Sequence, residues 1–224
     1  KIIIKTIDNF YYNLVVSIPD KIKFTYELAD ISGEAERIHL TVVGDTPPLV
    51  EGDVNLVRMR YLENFAEIGE GSPIMMALAG ENTWNLDIDV HIVSNYWIKN
   101  IDIDAEFAGD IKVQRTNGIY SFIGDLEILR GKGYLFDKTI RLEPQSTVTF
   151  EGGDEFNPTL DITGYTRIPG VKEQIDGSET SELLTLGLYI SGTLEEPVID
   201  ITDDSDFGSM EEILPLLVAN YGST

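Results

Sequence analysis

Residues 129–200 contain a series of short runs that read Leu129-Arg130-Gly131-Lys132-Gly133-Tyr134, Thr139-Ile140-Arg141-Leu142, Val148-Thr149-Phe150-Glu151-Gly152, Asn157-Pro158-Thr159-Leu160-Asp161-Ile162, Ile190-Ser191-Gly192 and Glu196-Pro197-Val198-Ile199-Asp200. In each run apolar and polar residues alternate. A period of two indicates a β-strand with one apolar and one solvated face. The chain is therefore predicted to be all-β.

The alternation is strongest in residues 84–92 and 100–107, where carboxylates interleave with aliphatic side chains. A one-residue slip would bury that row of carboxylates, so the strand register is strongly specified. Similar runs before residue 43 predict further strands, giving roughly 15 in all. Residues 63–73 and 170–182 are acidic and rich in glycine, which predicts loops.

The two halves of the chain share residues at a common offset. Asn13-Leu14 matches Asn85-Leu86, Gly52-Asp53 matches Gly124-Asp125, and Arg58 matches Arg130, each 72 residues later. This spacing favours a duplicated unit of several strands. We predict an N-terminal β repeat over residues 1–83, a C-terminal β domain over 84–204, and a short amphipathic helix and tail over 205–224. The helix prediction rests on the capping box of Ser209 and Glu212.

Composition excludes several classes of function. The formal charge of −23 and the scattered Lys and Arg argue against nucleic acid as a partner. There is no cysteine, which excludes disulfides and thiolate metal sites. Apolar runs reach only about six residues, far short of the ~20 that a membrane-spanning helix needs. Since the chain begins in strand-like sequence without an initiator methionine, we expect it to be an excised fragment.

No catalytic motif is present in the sequence. His39 and His91 share no ligand spacing, and the acidic run 203–206 lacks the bidentate Glu of a calcium loop. No phosphate-binding loop or serine elbow occurs. We expect no enzymatic activity, no cofactor and no metal.

The apolar face needs a partner, and four architectures supply one: two packed sheets, a closed barrel, a wound solenoid, or a bent sheet around a ligand. The face itself is aliphatic and aromatic, so it either forms a protein core or binds hydrocarbon. The residues predicted to line it are Leu86, Ile88, Val90, Ile101, Ile103, Phe107, Phe122, Leu126, Ile128, Ile140, Leu142, Val148, Phe150, Leu160, Ile162, Leu186, Leu188 and Ile190.

The order of these segments is similar to that of a known family. The runs quoted above, preceded by residues 97–113 and followed by Leu188-Tyr189-Ile190-Ser191-Gly192-Thr193-Leu194 and Met210-Glu211-Glu212-Ile213-Leu214-Pro215-Leu216-Leu217, resemble the TamB C-terminal domain within the AsmA-like group. The resemblance covers about residues 84–218. Each motif is short, but their order and spacing are specific.

The resemblance implies an elongated, curved antiparallel sheet that forms a groove with an apolar interior. It further implies a periplasmic location, an inner-membrane anchor outside this fragment, and transport of phospholipid or another acyl-chain lipid toward the outer membrane. An outer-membrane barrel of the Omp85 type is the implied protein partner.

One alternative from another class is open at this stage. A secreted β-sandwich or β-solenoid acting as an adhesin or a carbohydrate-binding module would also show alternating strands. Such a module would need a row of exposed aromatic side chains on its polar face.

Overall fold

The computed structural model describes residues 13–26, 31–44, 47–62, 64, 84–135, 138–173 and 179–203. These residues form twelve strands in one sheet. The strands are β1 (Asn13–Ile18), β2 (Ile22–Tyr26), β3 (Ile31–Val43), β4 (Leu49–Tyr61), β5 (Asn85–Lys99), β6 (Ile103–Thr116), β7 (Ile119–Leu135), β8 (Lys138–Leu142), β9 (Thr147–Glu151), β10 (Thr159–Glu173), β11 (Glu179–Gly192) and β12 (Pro197–Asp203). The prediction of an all-β fold is confirmed. The predicted helix within 205–224 lies outside the described residues.

The sheet follows the chain from β1 to β12, with β2 beside β3 and β9 between β7 and β10. All pairs are antiparallel except β4 and β5, which run parallel. The predicted antiparallel sheet is therefore a mixed sheet with this one parallel pair among the described strands. A parallel pair needs a long connection, and residues 62–84 between β4 and β5 provide the length.

The strand register places apolar residues side by side across the whole sheet. Val54 lies opposite Val90, and Val90 lies opposite Ile111. At the other end of the sheet Ile162 pairs with Ile190, and Ile190 pairs with Ile199. Among the described strands, every extensive contact is between hydrogen-bonded neighbours. The described strands therefore form one continuous hydrogen-bonded sheet with apolar residues aligned from strand to strand, and its two ends, β1 and β12, do not pair to close a barrel.

A row of β-bulges crosses the middle of the sheet. Register shifts occur between Glu34 and Ala35, Leu56 and Met59, Ile92 and Tyr96, and Glu106 and Phe107 on successive strand pairs. Bulges bend a strand and increase its twist. Because these bulges lie on neighbouring strands, they bend the sheet along a common line, which we call the crease.

Two hairpins repeat the same geometry at the crease. Glu34 pairs with Arg58 in β3–β4, and Glu106 pairs with Arg130 in β6–β7, each 72 residues later. In both hairpins the Arg side chain forms an ion pair with that Glu, at 2.8 and 2.6 Å. A bulge follows each pair and leaves Val57 and Leu129 without a partner in the register. The match between Arg58 and Arg130 in the sequence thus coincides with equivalent register positions in the two hairpins.

The structure differs from the predicted elements in two ways. Residues 129–134 are not a separate strand, because they continue the strand β7 that begins at Ile119. The bulge at Leu129 exchanges the faces to which odd and even residues point, so the alternation of apolar and polar residues along β7 looks interrupted in the sequence. A second difference concerns the predicted loop over 170–182, where residues 170–173 and 179–182 are paired strand instead. Backbone hydrogen bonds between β10 and β11 hold this hairpin, and they form without an alternation of apolar and polar side chains.

Candidate functional site

Most of the residues predicted to line the apolar face meet in one cluster. The cluster contains, buried or packed against it, Val90, Ile103, Phe107, Phe122, Leu126, Ile128, Ile140, Leu142, Val148, Phe150, Leu160, Ile162, Leu188 and Ile190. Leu86 and Ile88 are half-buried on β5, and Leu186 is buried on β11. These three lie on strands that contribute to the cluster but are not members of it.

Ile101 is placed differently from the other predicted residues. It lies in the bend between β5 and β6 and is 68% exposed. The Asn100 side-chain oxygen accepts hydrogen bonds from the backbone N–H groups of Asp102 and Ile103, both at 2.9 Å. This side-chain turn interrupts the strand. The alternation of residues 100–107 therefore predicted an apolar face that extends to Ile101, whereas in the structure this side chain lies outside it.

Several members of the cluster were absent from the prediction. The buried ones are Ile92, Ala105 and Ile111, and the partly buried ones include Leu56, Tyr96, Ile98 and Val113. Ile92 and Ile111 occupy the same strand faces as the predicted residues, so the period of two could have found them. Ala105 is fully buried because Gly131 lies against it, where an added Cβ would come within 2.3 Å of the Ala105 Cβ.

Burial of the apolar face varies along the sheet. Phe107, Ile128 and Leu186 are at most 2% exposed. At the β1 edge of the sheet the corresponding side chains are open, since Leu14 is 55% and Val16 is 42% exposed. On β12, Ile199 is 40% exposed. The face therefore has accessible apolar surface at both edges of the described sheet.

The apolar face carries few polar groups. Burial raises the pKa of Tyr96 to about 12, so its hydroxyl is neutral at physiological pH. The one buried arginine of the described residues, Arg115, lies opposite Leu86 and Tyr120 and donates to the Trp84 carbonyl oxygen at 2.7 Å. Its guanidinium lies 5.3 Å from the Tyr120 ring centroid. The alternating pattern gave no signal for this buried cation, because Arg115 comes at the end of an otherwise aliphatic strand face.

The opposite face of the sheet is charged and paired. Lys112 contacts Asp87 and Asp89 at 2.9 and 2.8 Å, and its hydrogen bonds to Asp89 and Asp87 raise its pKa. His91 and Asp110 are 2.6 Å apart. Since these contacts are at least partly exposed, each contributes little to stability. They keep the polar face in water and so maintain the register.

Glu106 is the buried exception among these acids. Its carboxylate accepts the Asn95 backbone N–H at 2.8 Å and the Arg130 Nε–H at 2.6 Å. Although burial raises the pKa of the Glu106 carboxyl, these two donors outweigh that effect and hold it below its ordinary value. Arg130 also lies 5.5 Å from the Trp97 ring centroid. Glu106 thereby joins β5, β6 and β7 at the crease.

A cavity of about 170 Å³ lies at the aromatic end of the apolar face. Phe122 and Phe150 line one side, and Glu151, Glu155 and Asn157 contribute to the other. The Phe122 and Phe150 ring centroids are 6.2 Å apart, and that of Phe156 is 5.5 Å from each. The cavity is thus lined by both aromatic and acidic residues at the end of the cluster.

The described ranges contain neither a metal-binding cluster nor a membrane-spanning helix. No group of three or more His, Asp or Glu side chains there is arranged to hold a metal ion. The same part of the chain contains no helix with the length and apolarity required to cross a membrane.

Comparison with protein families finds one that matches nearly the whole chain. The family model described as the TamB C-terminal domain matches residues 13–224. No curated protein matches the chain at a significant level.

Proposed function

Because this chain belongs to the TamB C-terminal domain family, which acts in outer-membrane assembly, we propose that its apolar face forms a groove that shields phospholipid acyl chains in transit between the inner and outer membranes. The observation that carries the proposal is the continuous apolar face of a single open sheet. The strand register aligns apolar residues from one strand to the next, and the two ends of the sheet, β1 and β12, do not pair with each other.

The chemistry of the face suits hydrocarbon. The members of the cluster are aliphatic or aromatic, and the ion-paired Asp87, Asp89 and Lys112 of β5 and β6 lie on the opposite face. Removing one CH₂ group from water contributes about 0.8 kcal/mol. Several methylenes of an acyl chain could therefore be held without a directional contact.

The crease supports the curvature that a groove requires. Its bulges bend the sheet on successive strands, and Ile128, which lies next to one of these bulges, is fully buried. The exposed apolar edges at β1 and β12 would then continue the groove toward neighbouring protein or membrane.

The proposal includes a location and partners. Membership of this family is consistent with a location in the cell envelope. We propose a periplasmic bridge that is anchored in the inner membrane through a segment outside this sequence and meets an Omp85-type barrel at the outer membrane. The role is carriage of lipid, without catalysis.

The carbohydrate-binding alternative finds less support. The large exposed aromatic residues among the described ones include Trp84, Tyr134 and Tyr189. They lie before β5, near the end of β7 and on β11, so they do not form one row along a strand. A sugar-stacking platform needs such a row.

The experiment compares two aspartate substitutions on the same strand. Ile88→Asp places a carboxylate among the half-buried apolar residues of β5, whereas Val93→Asp places one in the 77% exposed bulge of that strand. Purified chains are incubated with phospholipid vesicles, separated from them, and analysed for bound lipid by native mass spectrometry. We expect Ile88→Asp to reduce retained phospholipid several-fold, since a buried carboxylate opposes hydrocarbon burial.

The Val93→Asp chain should retain as much lipid as the unmodified chain. Circular dichroism of all three proteins verifies that the sheet is intact. If the unmodified chain retains no lipid, or if both substitutions have the same effect, the groove is not a lipid conduit.

A further inference from the structure

The cavity at the aromatic end of the apolar face is built by a structured loop. Residues 152–158 connect β9 to β10. The Gly153 N–H donates to the Ser121 hydroxyl oxygen at 3.1 Å. The Leu194 N–H donates to the Pro158 carbonyl oxygen at 3.0 Å, and the Glu195 N–H donates to the Asn157 side-chain oxygen at 3.0 Å. Both ends of the loop are thereby held, so the cavity is preorganised.

The lining of this cavity combines two features that favour organic cations. Phe122 and Phe150 present aromatic rings, whose faces are electron-rich and attract ammonium groups. The charged residues of the lining are Glu151 and Glu155, and both are exposed to solvent. A carboxylate next to aromatic rings discriminates against anions and in favour of ammonium groups.

The same row of rings already holds a cation within the chain. Tyr120 lies 6.3 Å from Phe122 in a stacked arrangement, and the Arg115 guanidinium lies over Tyr120. Arg115 is buried at that end of the row, whereas Phe122 and Phe150 also line the cavity. Among the described residues that line the cavity, the charged ones are both acidic.

We propose that this cavity binds the ammonium group of a phospholipid headgroup while the acyl chains lie along the apolar face. The inference rests on the proposed lipid groove and defines its substrate class. Phospholipids that carry an amine are preferred over purely anionic ones. The net charge of −23 adds long-range repulsion of anionic headgroups.

The test uses the 224-residue chain and vesicles of equimolar dioleoyl phosphatidylethanolamine and dioleoyl phosphatidylglycerol. Lipid retained by the protein is extracted, and the ratio of the two lipids is measured by mass spectrometry. We expect a ratio above that of the vesicles. Phe150→Leu keeps an apolar side chain but removes the aromatic ring, and should lower the ratio about two- to fivefold, which corresponds to ~0.5–1 kcal/mol.

A second substitution avoids the core. Glu155→Gln removes one exposed carboxylate and should lower the ratio by about twofold. Glu143→Gln is the matched control, because Glu143 is exposed in the turn between β8 and β9 and does not line the cavity. The control should leave the ratio unchanged.

The outcomes separate this inference from the groove itself. Retained lipid with the composition of the vesicles, or a ratio unaffected by Phe150→Leu and Glu155→Gln, would overturn the headgroup site and leave the groove standing. Absence of any retained lipid would overturn both. Free ethanolamine identifies the source of the ammonium: saturable binding of it alone, with no preference between the two lipids, would also overturn the lipid headgroup assignment.

Discussion

Replacement of Glu106 by glutamine tests whether the crease depends on one buried carboxylate. The Glu106 side chain is 6% exposed and accepts hydrogen bonds from the Asn95 N–H and Arg130 Nε–H. Glutamine keeps an acceptor oxygen but loses the negative charge. Hydrogen bonds to charged groups contribute ~1.5–3 kcal/mol and neutral ones ~0.5–1.5. With two bonds weakened, Glu106→Gln should lower the free energy of unfolding by about 2 kcal/mol.

The equivalent position in the other hairpin is the matched control. Glu34 forms the corresponding ion pair with Arg58, and both arginines are largely exposed, but the Glu34 side chain is 17% exposed whereas that of Glu106 is 6% exposed. Solvent screens such a pair, so Glu34→Gln should cost only ~0.2–1 kcal/mol. The two substitutions therefore make the same chemical change at equivalent register positions that differ in burial.

Urea denaturation at pH 7, followed by circular dichroism, measures both effects. For a slope of ~2 kcal/mol/M, the Glu106→Gln midpoint should fall by on the order of 1 M. The Glu34→Gln midpoint should fall by a small part of that. Equal shifts in the two variants, or an unchanged midpoint for Glu106→Gln, would refute the assignment of Glu106 as the residue that joins the three strands.

Two further predictions concern pH and the buried cluster. Because the folded state holds the Glu106 pKa below its ordinary value, the stability difference between the unmodified chain and Glu106→Gln should be complete above about pH 5. It should shrink as the pH falls below ~4.3 and through the folded-state pKa, as denaturation series at several pH values will show. Ile128→Ala, at a fully buried side chain, should lower the free energy of unfolding by ~2–5 kcal/mol. Val93→Ala, in the exposed bulge, should change it by less than ~0.5 kcal/mol, and a similar loss in both variants would contradict the placement of the cluster.

Much of the candidate site was predictable because strand side chains alternate strictly. Leu126 and Ile128 on β7, like Leu160 and Ile162 on β10, follow the period of two and reach the same cluster. The prediction of Ile101 as a lining residue went beyond the strand, since the Asn100 turn leaves that side chain in solvent. A local side-chain hydrogen bond changes the backbone there without changing the hydrophobic pattern.

The strand pairing was less predictable than the strands. The parallel pairing of β4 with β5 depends on how a long connection returns the chain to the sheet, which alternation does not encode. The hairpin of residues 170–173 and 179–182 is held by the backbone ladder of β10 and β11, so its side chains gave no signal.

By itself, the order of apolar and polar residues determined which side chains share a face, because successive residues of a strand point in opposite directions. It also determined that this face is hydrocarbon-like and that the other is acidic. Only the tertiary structure decided how the faces of twelve strands join, where the bulges bend them, and that Glu106, Asn95 and Arg130 meet. Those features arise from pairing between segments that are distant in the sequence. The environment of each residue is supplied by its partner strand, so no local sequence pattern reveals it.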